Sequence, residues 1–234
     1  MKSICKNICL IRSSIDEIKK RSVADGSVEI LAVTKTFPYQ DVREALNCGI
    51  NNIGESKIQE ALPKFEALGA LPDGVLKHFI GRLQSNKVKR AVENFDLIQS
   101  VDSLKLAKDI DRRAMDINKI QNCLIEVKVS GEESKAGISF NEAEKLYAQC
   151  FELSNVKICG LMTITPLNDD PQASRPYFKA VFNLFETLKE KYKKKEFSIL
   201  SMGMSGDFKI AVEEGSNMVR IGSAIFGERN YGNQ

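Results

Sequence analysis

The chain has 234 residues, 43% of them hydrophobic, enough for a substantial core in one large α/β domain or two small ones. Its 34 basic and 31 acidic residues are spread along the length for a formal charge of +3, which does not fit a nucleic-acid-binding face. The only histidine is His78, which excludes a histidine-rich metal site, and no apolar run reaches membrane-spanning length.

The opening segment carries Ile4, Ile8, Ile11 and Ile15 at helical spacing with charges between them, an amphipathic helix and not a signal peptide. The six cysteines (Cys5, Cys9, Cys48, Cys123, Cys150 and Cys159) have no CxxC spacing and no histidine partner. Cys123, Cys150 and Cys159 sit in apolar contexts and read as buried thiols. With no secretion signal, a reducing cytoplasm is the simplest compartment. From Glu29 onward, short apolar segments alternate with amphipathic ones. Strands are expected at 29–35, 51–54, 77–82, 97–101, 122–129, 157–164, 197–203 and 218–222. Helices are expected near 39–48, 56–68, 85–94, 103–116, 140–153, 173–194 and 206–214, with start signals at Ser103 and Asn141. The basic run from Lys189 to Lys195 suits the end of a helix, where cations meet the negative pole of its dipole. Eight strands alternating with helices after one leading helix predict a closed (β/α)8 TIM barrel. No linker divides the chain, so a single domain over 1–234 is expected. No GxGxxG follows the first strand, which removes the main sign of a dinucleotide fold.

In such a barrel the active face lies at the C-terminal ends of the strands. Lys35, Glu55 and Ser56 arrive there, then Arg82, Gln84, Ser85 and Asn86, then Asp102 and Ser103. The loop 130–137, the segment 163–166, Ser205 with Gly206, and Gly222 with Ser223 complete the face. The loop reads either as a mobile lid or as a plain solvated connection. Lys35 follows an apolar strand and precedes Pro38, which cannot continue a ladder. Alone it is either a strand end whose amine snorkels to solvent or a desolvated nucleophile able to form a Schiff base with an aldehyde. The stretches SMGMSGDF (201–208) and SNMVRIGSAIFGER (216–229) each place serine and glycine at a strand-to-helix junction. Free amides collect at such junctions, and two of them on neighbouring strands beside Lys35 favour phosphate over simple turn caps. Arg220 interrupts an apolar strand with the parity of Gly222, so an inward guanidinium needs an acceptor. That acceptor is either a carboxylate such as Glu55 or a heteroaromatic ligand nitrogen. An amine, a phosphate cradle and an arginine across the barrel from the amine together describe a site for pyridoxal 5'-phosphate (PLP).

The chain resembles the YggS/PROSC family of pyridoxal phosphate homeostasis proteins. The resemblance is carried in collinear order by AVTKTFP (32–38), IGESKIQE (53–60), HFIGRLQSNK (78–87) and SVDS (100–103). It continues through VSGEESKAGI (129–138), GLMTI (160–164), MGMSGDF (202–208) and GSNMVRIGSAIFGER (215–229). It implies a single-domain barrel of the alanine racemase N-terminal type, with PLP joined to Lys35 as a Schiff base. By the same resemblance Ser205, Gly222 and Ser223 hold the phosphate, and Arg220 faces the pyridine nitrogen. Two positions depart from the family pattern: Ser56 stands where Asn is common, and Arg82 where Pro or His is frequent. The implied ligand details near the second and third strands are therefore open.

A PLP racemase needs two placed acid/base groups, one on each face of the substrate. Lys35 supplies one. In the two-domain racemases that this fold resembles, the other is a tyrosine from a separate domain, for which the residues after Gly222 leave no room. Of Tyr39, Tyr147, Tyr177, Tyr192 and Tyr231, only Tyr39 is near the expected face, and it reads as the first residue of a helix. Arginine at the ring nitrogen also discourages ring protonation and weakens the electron sink. The expected role is therefore intracellular holding and delivery of PLP, with no catalytic residue and no metal; the family resemblance further implies effects on amino-acid and keto-acid balance. The alternatives are a low-activity racemase and, more distantly, a Schiff-base aldolase barrel without cofactor. Expected partners are PLP and apo forms of PLP-dependent enzymes, with no nucleic acid and no membrane, the protein being a monomer.

Overall fold

The computed structural model describes residues 3–23, 26–130 and 136–228. Most of the 130–137 loop, together with Arg229 and Tyr231, lies outside the described residues. Eight parallel strands close in sequence order into a barrel, β8 returning to pair with β1. They are β1 (Glu29–Val33), β2 (Asn52–Glu55), β3 (Leu76–Phe79), β4 (Leu97–Val101), β5 (Gln121–Val127), β6 (Val156–Thr163), β7 (Ile199–Met204) and β8 (Met218–Ile221). Each expected strand is present, with ends displaced by a few residues.

The helices are α1 (Ile4–Lys19), α2 (Tyr39–Asn47), α3 (Ile58–Leu68), α4 (Val88–Asn94), α5 (Leu104–Met115), α6 (Phe140–Gln149), α7 (Arg175–Tyr192), α8 (Phe208–Glu213) and α9 (Ser223–Phe226). The four-residue α9 had no sequence signal. Ser103 caps α5 by accepting from the Leu106 amide at 3.3 Å, as expected. The expected start of α6 at Asn141 is corrected. Ser139 is its cap, in a reciprocal box with Glu142 that satisfies two end amides at once.

Alternation along the strands separates two environments. Outward residues such as Ile98, Cys123, Ile125, Val127 and Leu161 pack under the helices, while Leu97, Leu124 and Met162 face one another inside the barrel. The leading helix α1 buries Ile4, Ile8, Ile11, Ile15 and Ile18 against Val42 and Ala45 of α2, Val212 of α8 and Ile225 of α9. At about 1.5–3 kcal/mol for each buried isoleucine side chain, that stripe accounts for its docking.

Cys123, Cys150 and Cys159 are buried free thiols, as expected, and burial raises the pKa of each. The cysteine spacing gave no sign of the disulfide that joins Cys5 of α1 to Cys48 at the end of α2, with Cα atoms 5.4 Å apart. Among the described residues, no helix is long and apolar enough to cross a membrane.

Candidate functional site

Strand β1 ends at Val33, two residues before the expected end, and Lys35 heads a tight turn closed by the Phe37 amide donating to the Thr34 carbonyl at 3.1 Å. The next residue, Thr36, has φ of +69°, a left-handed conformation that a β-branched side chain rarely adopts. A buried cluster holds this turn in place. Lys64 Nζ donates to the Thr34 carbonyl at 2.7 Å and to Glu55 Oε1 at 2.5 Å. Thr34 Oγ1 donates to the same carboxylate at 2.7 Å, and Glu60 accepts from the Thr36 amide. Burial raises Glu55 above the ordinary carboxylate range, against the lowering effect of Lys64 and Thr34. Lys35 itself is half-buried at the mouth of the barrel.

Glu55 is therefore committed to Lys64, and the salt bridge to Arg220, one of the two acceptors the sequence left open, is not formed. Arg220 is buried and donates from NH1 to the Ser201 carbonyl at 2.8 Å, and from NH2 to the Thr163 carbonyl at 2.7 Å. Burial pulls its pKa down to about 10, opposed by the charges of Glu126 and Asp207, so it stays a cation at neutral pH. These bonds leave further N–H donors of the guanidinium fork for a ligand. A correction concerns its place. Because β8 pairs with β1, Leu31 standing opposite Arg220, the arginine is on the strand next to Lys35 and not across the barrel.

Ser205 and the β8–α9 junction come together as expected. Ser205 Oγ accepts from the amides of Gly222 at 3.2 Å and Ala224 at 3.3 Å, and the Ser223 side chain is exposed beside them. The Ser205 turn is fixed from below by Asp207, a residue that drew no attention in the sequence. Its carboxylate accepts from the Met204 amide at 2.7 Å, from Thr165 Oγ1 at 2.9 Å and from Ser174 Oγ at 3.2 Å. Gly203 lets α8 approach this strand: at φ of +91°, an added Cβ would lie 2.5 Å from Ala211 Cβ. Converging amides with two hydroxyls suit a phosphate, which accepts hydrogen bonds strongly. An oxygen, that of Ser205, already sits where the amides point. With a lysine amine and an arginine donor one strand apart, the donor set fits PLP.

Arg82, Gln84, Ser85, Asp102 and Ser103 line a cleft of about 400 Å³ at the ends of β3 and β4. Sequence reasoning missed Glu126. It lies on the interior side of β5 opposite Met162, buried, with its pKa pushed up to about 7. Burial is the main cause; Arg220 and Arg82 oppose it and Asp102 adds to it. Tyr147 is buried among Phe151, Tyr192 and Phe197 outside the barrel, and Tyr39 opens α2 as expected.

The model of the alanine racemase N-terminal domain matches residues 8–230. The pyridoxal phosphate homeostasis protein of Aquifex aeolicus (strain VF5) is 42% identical over 228 residues, covering 97% of this chain and 99% of that protein. The protein of the same name from Escherichia coli (strain K12) is 35% identical and covers 99% of both. PipY of Synechococcus elongatus PCC7942, solved with PLP bound, superposes with a TM-score of 0.85 at 34% identity, covering 96% of this chain and all of that one. Alanine racemase of Clostridium difficile 630 shares the fold, with a TM-score of 0.72 at 16% identity, and this chain spans 57% of its length. Matched from end to end by relatives of the same size, and built on the barrel they share, the chain belongs to the family of pyridoxal phosphate homeostasis proteins.

Proposed function

We propose that this protein binds PLP reversibly at the mouth of the barrel and stores and delivers it in the cytoplasm. In this reading Lys35 would hold the aldehyde end of PLP as a Schiff base, the aldehyde oxygen leaving as water, Ser205, Gly222 and Ser223 would hold its phosphate, and Arg220 would donate to its ring nitrogen. The carrying observation is the closure of β8 onto β1, which sets the amine, the guanidinium and the converging amides on adjacent strands. When bound, PLP supplies an electrophilic aldehyde and a conjugated ring. The chain's own residues would orient that group, the guanidinium as a hydrogen-bond donor and the amides as a fixed anion seat. Residues 1–234 act as one domain and one monomer, and the recipients are apo forms of PLP-dependent enzymes, whose supply affects amino-acid and keto-acid balance. The test is spectral. Wild type mixed with PLP is expected to turn yellow and, after borohydride, to carry the label on Lys35, while Lys35→Ala loses both. A protein that stays colourless with added PLP would sink the proposal.

One observation supports a second reading, a slow racemase. Glu126, with its pKa near neutrality, is an acid/base group inside the same barrel. Under that reading, added alanine exchanges its Cα hydrogen for deuterium at an enzymatic rate, and Glu126→Gln slows the exchange at least about tenfold, the low end of general acid–base contributions being higher still. Exchange no faster than with free PLP removes it.

A further inference from the structure

A row of polar side chains runs through the barrel interior, from Arg220 toward the N-terminal mouth. Arg220 NH1 donates to Ser201 Oγ at 2.9 Å, and Ser201 Oγ donates to Gln99 Oε1 at 2.8 Å. Gln99 Nε2 lies 2.9 Å from His78 Nδ1, and His78 Nε2 lies 3.0 Å from Asn52 Oδ1. Asn52 Nδ2 then donates to Glu29 Oε2 at 3.2 Å, where the row reaches solvent. Ser201, Gln99, His78 and Asn52 are all buried. Six strands contribute one residue each, and the row links a cation at one end to a carboxylate at the other.

The direction of each bond follows from its neighbours. A guanidinium only donates and a carboxylate only accepts. Gln99 Nε2 has only hydrogens to offer, giving one to Met218 Sδ at 3.4 Å and one to His78 Nδ1. His78 Nδ1 is therefore bare, and the ring proton is on Nε2, facing Asn52 Oδ1. Burial pulls the His78 pKa down to about 3, so the ring is neutral at physiological pH. A second ring proton would oppose the Gln99 amide hydrogens. Turning that amide would take the acceptor away from the Ser201 hydroxyl and loosen its hold on Arg220. The row thus has one self-consistent arrangement, and buried polar groups that are fully satisfied specify a unique core.

We propose that Ser201, Gln99, His78 and Asn52 are positioning residues for Arg220. They fix its guanidinium as a donor toward the ligand and so would keep the ring nitrogen of bound PLP free of a proton. The ligand half of this proposal rests on the PLP reading; the row itself does not.

The single histidine makes the row readable without ligand. With ¹⁵N-labelled histidine, the folded protein is expected to show one neutral ring, protonated on Nε2, across the range from about pH 5 to 8 where free histidine titrates. Gln99→Glu keeps the shape but replaces the amide donor with an acceptor, and is expected to convert the ring to its doubly protonated form. A wild-type ring that titrates normally, or one that ignores Gln99→Glu, overturns the row. With PLP bound, Gln99→Leu is expected to move the pH midpoint of the visible spectrum by about one unit, roughly tenfold in proton affinity. Leu97→Ala, a cavity in the same interior, is expected to leave the midpoint in place. Ser201→Ala reads the same shift if Gln99→Leu does not fold. An unmoved midpoint in a variant that still binds PLP overturns the positioning role. Failure of wild type to take up PLP overturns that role together with the ligand reading, and is recognised because the ring result is obtained separately.

Discussion

Single residues in this barrel are held in states that open solution does not favour. Thr36 takes a left-handed backbone, His78 stays neutral well below the pH at which free histidine takes up a proton, and Glu126 holds its proton to near neutrality. Glu126 has a consequence for stability. Its folded-state pKa is above the ordinary 4.5, so between about pH 4.5 and 7 the native state binds more protons than the unfolded chain, and stability falls as pH rises through that window. The loss is at most about 1.4 kcal/mol per pH unit from this group. Glu126→Gln removes it. Denaturant melts of the protein without ligand should therefore find the variant equal to wild type near pH 4 and more stable by on the order of 2 kcal/mol at pH 8. A difference that does not change with pH would contradict this assignment. The sequence exposed Lys35, Ser205, Arg220 and Gly222 because each interrupts a local pattern. It hid Glu126, Gln99 and Asn52, because strands covered on both faces show no polar alternation from which to read which side a residue faces.

Elements were more legible than residues, since the change of period between strand and helix is a local property of the chain. All eight strands and the major helices fall where the apolar spacing puts them. What the spacing could not show is which elements meet. The disulfide between Cys5 and Cys48 depends on α1 docking beside α2, a long-range event, and so escaped a reading that sought CxxC pairs. Linking residues 43 positions apart restricts the unfolded chain. The loop-entropy model gives about 4 kcal/mol for a loop of this length. Calorimetry of the oxidised protein, the reduced protein and the Cys5→Ser variant should place the last two together, lower in melting temperature than the first. The Lys35 spectrum is expected to persist in all three, because the bond joins helices on the outside of the barrel. Identical melting in all three would show that the bond does not form in solution.

At the scale of the whole molecule, the decisive feature is the seam where β8 pairs with β1. Eight strands in sequence order were legible as a barrel, and with them the face on which the candidate site lies. The closure already set the last two strands beside Lys35, but placing Arg220 across the barrel did not follow from it, and the arginine stands on the adjoining strand. The seam also sets an order of events during synthesis. Lys35 leaves the ribosome early, while the serine turn and the arginine are on the last two strands. Pairing between such distant segments is the slow part of forming this topology. An emerging chain therefore presents its amine with neither the serine turn nor the guanidinium beside it, and under the proposed assignment a reactive aldehyde would meet nothing that retains it. On the proposed assignment of these residues, capture waits for the final strand, and ligand retention would mark a chain whose folding is complete.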